Sequence, residues 1–164
     1  MEASTRKSCM VNLQNDEFLL TGGIITTVNN QEASPKTFVF TPKIDGNITW
    51  NDGPTMLSPR QSHMCGILEK GSKRFVVVAG GLDNDAKLDS QCEYLEIIQE
   101  GDTLTLSEWQ VCASFGLAKT KDTGRMVTDP QTGNIFAFGK FENGNGTLET
   151  HTAIYRLSDV DGQW

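Results

Sequence analysis

Two histidines, two tyrosines, four cysteines and one acidic cluster are the residues of this chain best equipped for chemistry. A facial metal site needs three ligands converging on one ion, and His63 and His151 stand too far apart to begin one without help from elsewhere. His63 fits a packed, hydrogen-bonded side chain; His151, between Thr150 and Thr152, fits a solvated loop. Asp83-Asn84-Asp85 with Asp89 resembles a calcium loop at first glance. Twelve residues counted from Asp83, however, put Leu88 at the sixth place, where glycine makes the turn, and Tyr94 at the twelfth, where glutamate closes the site. That cluster is read as a polar surface loop. No Gly-x-Ser-x-Gly, phosphate loop or Cys-x-x-Cys is present, and no paired carboxylates with an arginine cluster suggest a glycosidase. The reading is therefore of no catalytic residues, no metal and no cofactor.

The bulk composition sets what must position these side chains. A length of 164 residues suffices for one domain with a real core. A net charge of −7 without Lys/Arg clusters argues against nucleic acid or an anionic bilayer as the main partner. No window approaches the roughly 18 apolar residues of a membrane span, so membrane insertion is not expected. The segment Met1–Ser8 is basic but lacks an apolar stretch behind it, so no secretory signal is legible. Glycine is plentiful at 16, and the apolar residues gather in β-rich clusters such as Phe75-Val76-Val77-Val78-Ala79, which points to short strands joined by turns.

Those clusters repeat. Phe18-Leu19-Leu20-Thr21-Gly22-Gly23 returns as Phe75-Val76-Val77-Val78-Ala79-Gly80-Gly81 and, weakened, as Ile135-Phe136-Ala137-Phe138-Gly139-Lys140. The glycines Gly22, Gly80 and Gly139 are 58 and 59 residues apart, and Trp50, Trp109 and Trp164 are 59 and 55 apart. Aromatic residues Phe40, Tyr94 and Tyr155 fall between glycine and tryptophan in each unit, and Ser4–Val11 aligns with Ser58–Cys65 at an offset of 54. A fixed period of this length marks a repeat architecture. Each unit reads as four short strands, with the apolar run as a strand covered on both faces and the glycine pair supplying close backbone approach and positive φ at its end.

The strand, Gly-Gly, aromatic, Trp and then Pro59-Arg60-x-x-His63 pattern resembles the kelch repeat, whose units form blades of a β-propeller. The resemblance covers about Ser4 to Trp164 and weakens in the third unit, where Lys140 replaces the second glycine. It implies an all-β fold: a partial β-propeller of about three four-stranded antiparallel blades (roughly 4–52, 58–112 and 120–164), the last truncated inside its fourth strand at Trp164. Three blades leave two readings, a fragment of a longer propeller or two copies that meet to close one ring, and the open edges invite self-association. Some kelch-like propellers are copper oxidases, but Tyr94 and Tyr155 occupy the aromatic place of the repeat, where packing accounts for them. Ser158-Asp159-Val160-Asp161-Gly162-Gln163-Trp164 comes close to a sialidase repeat marker but carries Val160 where its first aspartate should fall, and is read as a hairpin turn.

On that scaffold the expected function is a binding module for a protein partner. The alternatives are a carbohydrate- or matrix-binding extracellular module, or part of an enzyme completed by other blades. The longest loops, 24–36, 82–91 and 141–151, together with 51–59, are the expected contact surface, with Asn51, Asp83, Asp85, Asp89, Glu142 and Asn143 as candidate contacts. Cys9, Cys65, Cys92 and Cys112 allow three pairings. Cys65 and Cys112, on the first and fourth strands of one blade, would lie roughly 14 Å apart, whereas Cys9 and Cys65 fall at nearby positions on adjacent inner strands. Sequons at Asn47 and Asn145 lean toward an extracellular parent protein; a cytosolic adaptor with reduced thiols is the opposite reading.

Overall fold

The computed structural model describes residues 5–26, 30–85, 91–112, 118–120, 124–143 and 151–162. Among them every regular element is a β-strand and every pairing is antiparallel. β1 (Thr5–Arg6) precedes a hairpin of β2 (Cys9–Gln14) and β3 (Glu17–Thr21). β4 (Ile24–Thr26) and β5 (Gln31–Ala33) join β1 in a small side sheet, and β6 (Thr37–Pro42) and β7 (Ile48–Asp52) complete a first main sheet ordered β2-β3-β6-β7. The second main sheet holds β8 (Met64–Lys70), β9 (Lys73–Ala79), β10 (Cys92–Glu100), β11 (Thr103–Leu106) and β12 (Gln110–Cys112), the last two sharing one edge of β10. The third holds β13 (Ala118–Thr120), β14 (Arg125–Thr128), β15 (Ile135–Asn143) and β16 (His151–Leu157), with β13 and β14 along one edge of β15 and β16 along the other.

The three main sheets stack face to face, and the burial of each central strand follows from its place in the stack. In β9, in the middle sheet, all of Phe75 to Ala79 is buried, because both faces of the strand are covered. In β3 only alternate residues, Leu19 and Thr21, are buried, the period-2 pattern of a strand covered on one side. One core lies between the first and second sheets, where Val11, Leu13 and Leu19 meet Val76, Val78, Leu95 and Trp109. A second lies between the second and third, where Leu68, Val77 and Cys92 meet Ile135, Ala137 and Leu157. Hydrogen bonds cross both seams: Arg74 Nη1 donates to the Leu13 carbonyl at 2.9 Å and Thr128 Oγ1 to the Ile67 carbonyl at 2.5 Å.

The strand registers preserve the repeat and correct several details of it. Val76 pairs with Leu95 as Phe18 pairs with Phe40, so the glycine offset of 58 holds in three dimensions. Met10 pairs with Leu20 as Cys65 pairs with Val78, which makes the offset of the inner strands 55 rather than 54. Arg6 is thus not the counterpart of Arg60; with Thr5 it pairs into the side sheet. Phe40, Tyr94 and Tyr155 do not share one position. They stand opposite Phe18, Val77 and Ala137, three successive places in the repeat. The third sheet begins at Ala118, and among the described residues no fourth outer strand follows β16; Ser158 to Gly162 turn, and Trp164 lies outside the described residues.

Gly139 is also corrected. It stays inside β15, paired with Ala153, and the strand runs on through Asn143. The reason is the neighbour. Gly22, Gly23, Gly80 and Gly81 all take positive φ and turn the chain out of their sheets, but Lys140 carries a Cβ that resists that conformation, so the ladder continues.

Candidate binding rim

The turns of the stack differ in length from one rim to the other. One rim carries tight turns at Asn15-Asp16, Gly71-Ser72 and 129–134, together with 43–47 and Gly101-Asp102. The other carries the segments after the glycine pairs and the 53–63 connection between the first and second sheets. These long segments are tied to one another. Gly22 N–H donates to the Lys36 carbonyl at 3.0 Å, Gly23 N–H to Arg60 at 2.9 Å, and Met56 N–H to Pro35 at 2.9 Å. Ser34 and Arg60 form one isolated bridge, Gln61 and Leu82 another. Ala33 N–H donates to Asn84 Oδ1 at 2.5 Å, joining the side sheet of the first unit to the loop of the second.

Two buried polar groups fix this connection. Arg60 is fully buried; its Nη2 lies 2.5 Å from Glu93 Oε1, and its Nη1 donates to the carbonyls of Gly80 and Gln91 at 3.0 and 3.2 Å. Glu93 is fully buried as well, and accepts from the backbone N–H groups of Leu57 at 2.7 Å and Ser58 at 3.1 Å. Each charge is therefore paired and hydrogen-bonded, the condition under which burial of charge is tolerated. His63 is buried against the other seam of the connection, with Nε2 2.7 Å from Thr21 Oγ1. That hydroxyl donates to the Cys9 carbonyl at 3.3 Å. With the hydroxyl proton directed at that carbonyl, Nε2 is the ring nitrogen that donates, to Thr21 Oγ1. Burial, and secondarily the Arg60 charge, lowers the His63 pKa from 6.5 to about 3.

Packing leaves no room for variation at the first glycine pair. A Cβ on Gly22, which has φ +54°, would lie 2.5 Å from the Arg60 carbonyl oxygen and 2.8 Å from His63 Cε1. Beside this, the side sheet and the connection enclose an open groove of about 340 Å³ between Ile25, Glu32, Pro35, Lys36 and Thr55.

Of the candidate contacts, Asp83 and Asp85 lie on the long-loop rim, where Asp83 Oδ1 accepts from Asp85 N–H at 2.9 Å in a local turn. Asp89 and Asn145 lie outside the described residues. Asn51, Glu142 and Asn143 were expected in loops and are in strands instead: Asn51 in β7 opposite Val39, Glu142 and Asn143 in β15 opposite Lys119 and Ala118. His151 likewise opens β16 opposite Phe141 rather than sitting in a loop. All these shifts in the third unit have the cause given for Gly139, a strand that does not turn at Lys140. Asn47 is exposed in a tight turn; its backbone N–H donates to Asp45 Oδ1 at 3.0 Å and its Nδ2 to Asp45 Oδ2 at 2.9 Å, and these hydrogen bonds hold the Asp45 carboxyl below its usual range. Trp109 is buried and its Nε1 donates to the Pro54 carbonyl at 2.8 Å. Tyr94 and Tyr155 both reach the core between the second and third sheets.

The cysteines form two bonds. Cys9–Cys65 joins the inner strands of the first and second sheets across 5.9 Å between Cα atoms, the pair favoured by position, and Cys92–Cys112 joins neighbouring strands within the second sheet across 5.1 Å. Sequence reading missed Glu93, Thr21 and Asn84. Glu93 carried a signal, an acid alternating with Leu95 and Ile97 on one face of its strand. Asn84 carried none, because its partner is 51 residues away.

These features define a class: an all-β protein of stacked antiparallel sheets, with tight turns on one rim and bonded loops on the other. No family model matches the chain, and no curated protein matches it. A solved structure of YjhT aligns with 98% of this chain at 14% identity and a TM-score of 0.58, and the match covers 45% of the YjhT chain. The likeness is one of fold, and this chain spans less than half the length of YjhT.

Proposed function

We propose that the chain is a segment of a kelch-type β-propeller, each main sheet a blade, and that it works as a non-catalytic binding module for a protein partner through its long-loop rim. One observation carries the proposal: the asymmetry of the two rims. The tight turns have little backbone to offer a partner. The loops on the other rim are long, polar and braced against one another by the Ala33–Asn84, Pro35–Met56 and Gln61–Leu82 contacts. Bracing of that kind holds a surface in one shape, which lowers the ordering cost of binding. The buried Arg60–Glu93 pair and neutral His63 support the rim from beneath and are not offered to solvent, so their role is structural.

The two disulfides favour an oxidising compartment for this segment, which keeps a carbohydrate or matrix ligand as the second reading. Hydrogen–deuterium exchange of the chain with a purified binding partner tests the assignment. Protection confined to residues 30–36, 53–60 and 82–85 is expected. Protection confined to 43–47, 71–72 and 129–134 would place the contact on the wrong rim. A glycan that protected the long loops in place of a protein would establish the second reading.

A further inference from the structure

We infer that two copies of this chain pair through their free sheet faces, the outer face of the first sheet in one copy against the outer face of the third sheet in the other. The outer face of the first sheet is largely aromatic and also carries the exposed Asn12 and Asp52. Phe40 stacks on Phe18 at 5.1 Å and tilts against Trp50 at 4.8 Å, with Phe38 edge-on to Trp50 at 6.4 Å. Trp50 is 52% exposed, and Met10 and Ile48 beside it are exposed too. The outer face of the third sheet presents Val127, Phe138 and Ile154, all exposed, around the half-buried Phe136, and the exposed Arg125 and Arg156, paired with Phe138 and Phe136, share that side.

The chain itself shows what covers such faces. Val76 is the register equivalent of Phe18, Leu95 of Phe40 and Trp109 of Trp50. In the second sheet that face is sealed by Val11, Leu13, Leu19 and Val39, on the opposite face of the sheet before it. Leu19 in turn is the equivalent of Val77 and Phe136. The outer face of the third sheet therefore shares two places with the face that covers the equivalents of Phe18, Phe40 and Trp50, Phe136 at that of Leu19 and Val127 at that of Val11, with Arg156 at that of Val39. Each copy carries one face of each type, so a two-fold axis satisfies both at once with two identical interfaces and leaves no outer face bare. The pairing does not depend on what the rim binds.

Sedimentation velocity on the 164-residue chain at micromolar concentration tests it. The expected mass is twice the 18.0 kDa of one chain. Trp50→Lys and Phe138→Lys, both at exposed positions, should each halve that mass while the far-ultraviolet β signal stays unchanged. An equimolar mixture of the two variants should restore the doubled mass, because one interface then joins two unaltered faces. A wild-type chain of single mass overturns the inference. So does a dimer that Trp50→Lys breaks and Phe138→Lys leaves intact, which would pair first sheet with first sheet.

Discussion

Trp50 and Trp109 occupy one position of the repeat and live in opposite environments. Trp50 stands opposite Phe40; Trp109, one residue before the Gln110–Tyr94 pair, stands beside Leu95, the register equivalent of Phe40. Trp50 is 52% exposed and Trp109 is 4% exposed. The same residue type on the same face is covered only where another sheet lies against it. Packing between sheets, not anything within one sheet, buries the tryptophan.

The two tryptophans should therefore contribute unequally to the stability of a single chain. In a Phe138→Lys background that keeps copies apart, Trp109→Ala should lower the unfolding free energy by about 3–5 kcal/mol, as for other buried aromatics cut to alanine. Trp50→Ala in the same background should cost about 1 kcal/mol or less. Urea unfolding followed by circular dichroism measures both. Equal losses would mean that Trp109 is not sealed between sheets.

Arg60 and Glu93 should behave as one unit. Either Arg60→Met or Glu93→Gln leaves a buried charge without its partner and should cost about 3–5 kcal/mol. The double variant should be less harmful than the two losses added, with a coupling of at least about 1 kcal/mol. It should still fall short of wild type, because glutamine keeps only one of the two acceptor oxygens that the Leu57 and Ser58 N–H groups use. Strict additivity in a urea double-mutant cycle would show that the two charges do not meet.

How much of this was legible beforehand depends on how narrowly the physics restricts each residue. Gly22-Gly23 and Gly80-Gly81 were legible because positive φ at the end of a strand admits little else, and the period they marked survives in the registers. The aromatic marker did not survive. Phe40, Tyr94 and Tyr155 sit at three different register positions because an aromatic ring packs on either face of a pleated sheet. The all-β fold and the repeat of main sheets were open to reading; the course of the third unit was not, since one Lys140 decides whether a strand turns or runs on to Asn143. On the rim, Asp83 and Asp85 could be nominated from the loop that holds them. Asn84, which braces the loop, and Glu93, which anchors the connection, act through partners far away in sequence, and pattern along the chain does not encode who those partners are.

The disulfides make a prediction that mass alone can read. The intact chain should gain about 4 mass units on reduction, two per bond. By the loop-closure estimate, opening Cys9–Cys65, which spans 56 residues, should cost about 4 kcal/mol, and opening Cys92–Cys112, which spans 20, about 3 kcal/mol. Paired serine variants, Cys9→Ser with Cys65→Ser and Cys92→Ser with Cys112→Ser, separate the two by urea titration. A chain whose mass does not change on reduction, when isolated from an oxidising compartment, would remove both bonds.

His63 should give the fold a defined sensitivity to acid. Its pKa is 6.5 when unfolded and about 3 in the buried site, where burial comes first and the Arg60 charge second. Well above pH 6.5 the ring is neutral in both states and pH has no hold on it. As pH falls below 6.5 the unfolded chain takes up a proton that the folded chain refuses, and stability drops until the folded pKa is passed. At pH 4 this single group should have removed about 3 kcal/mol relative to pH 7, at about 1.4 kcal/mol per unit. His63→Gln keeps a side-chain amide to meet Thr21 Oγ1 but cannot titrate, so it should be less stable than wild type at pH 7 and lose less on acidification. The measurement is urea unfolding of both proteins at half-unit steps from pH 7 to pH 4. Carboxylates protonate in both alike, so the difference between the two curves isolates residue 63. Curves that stay parallel across that range would show that the ring is solvated or already charged in the folded protein.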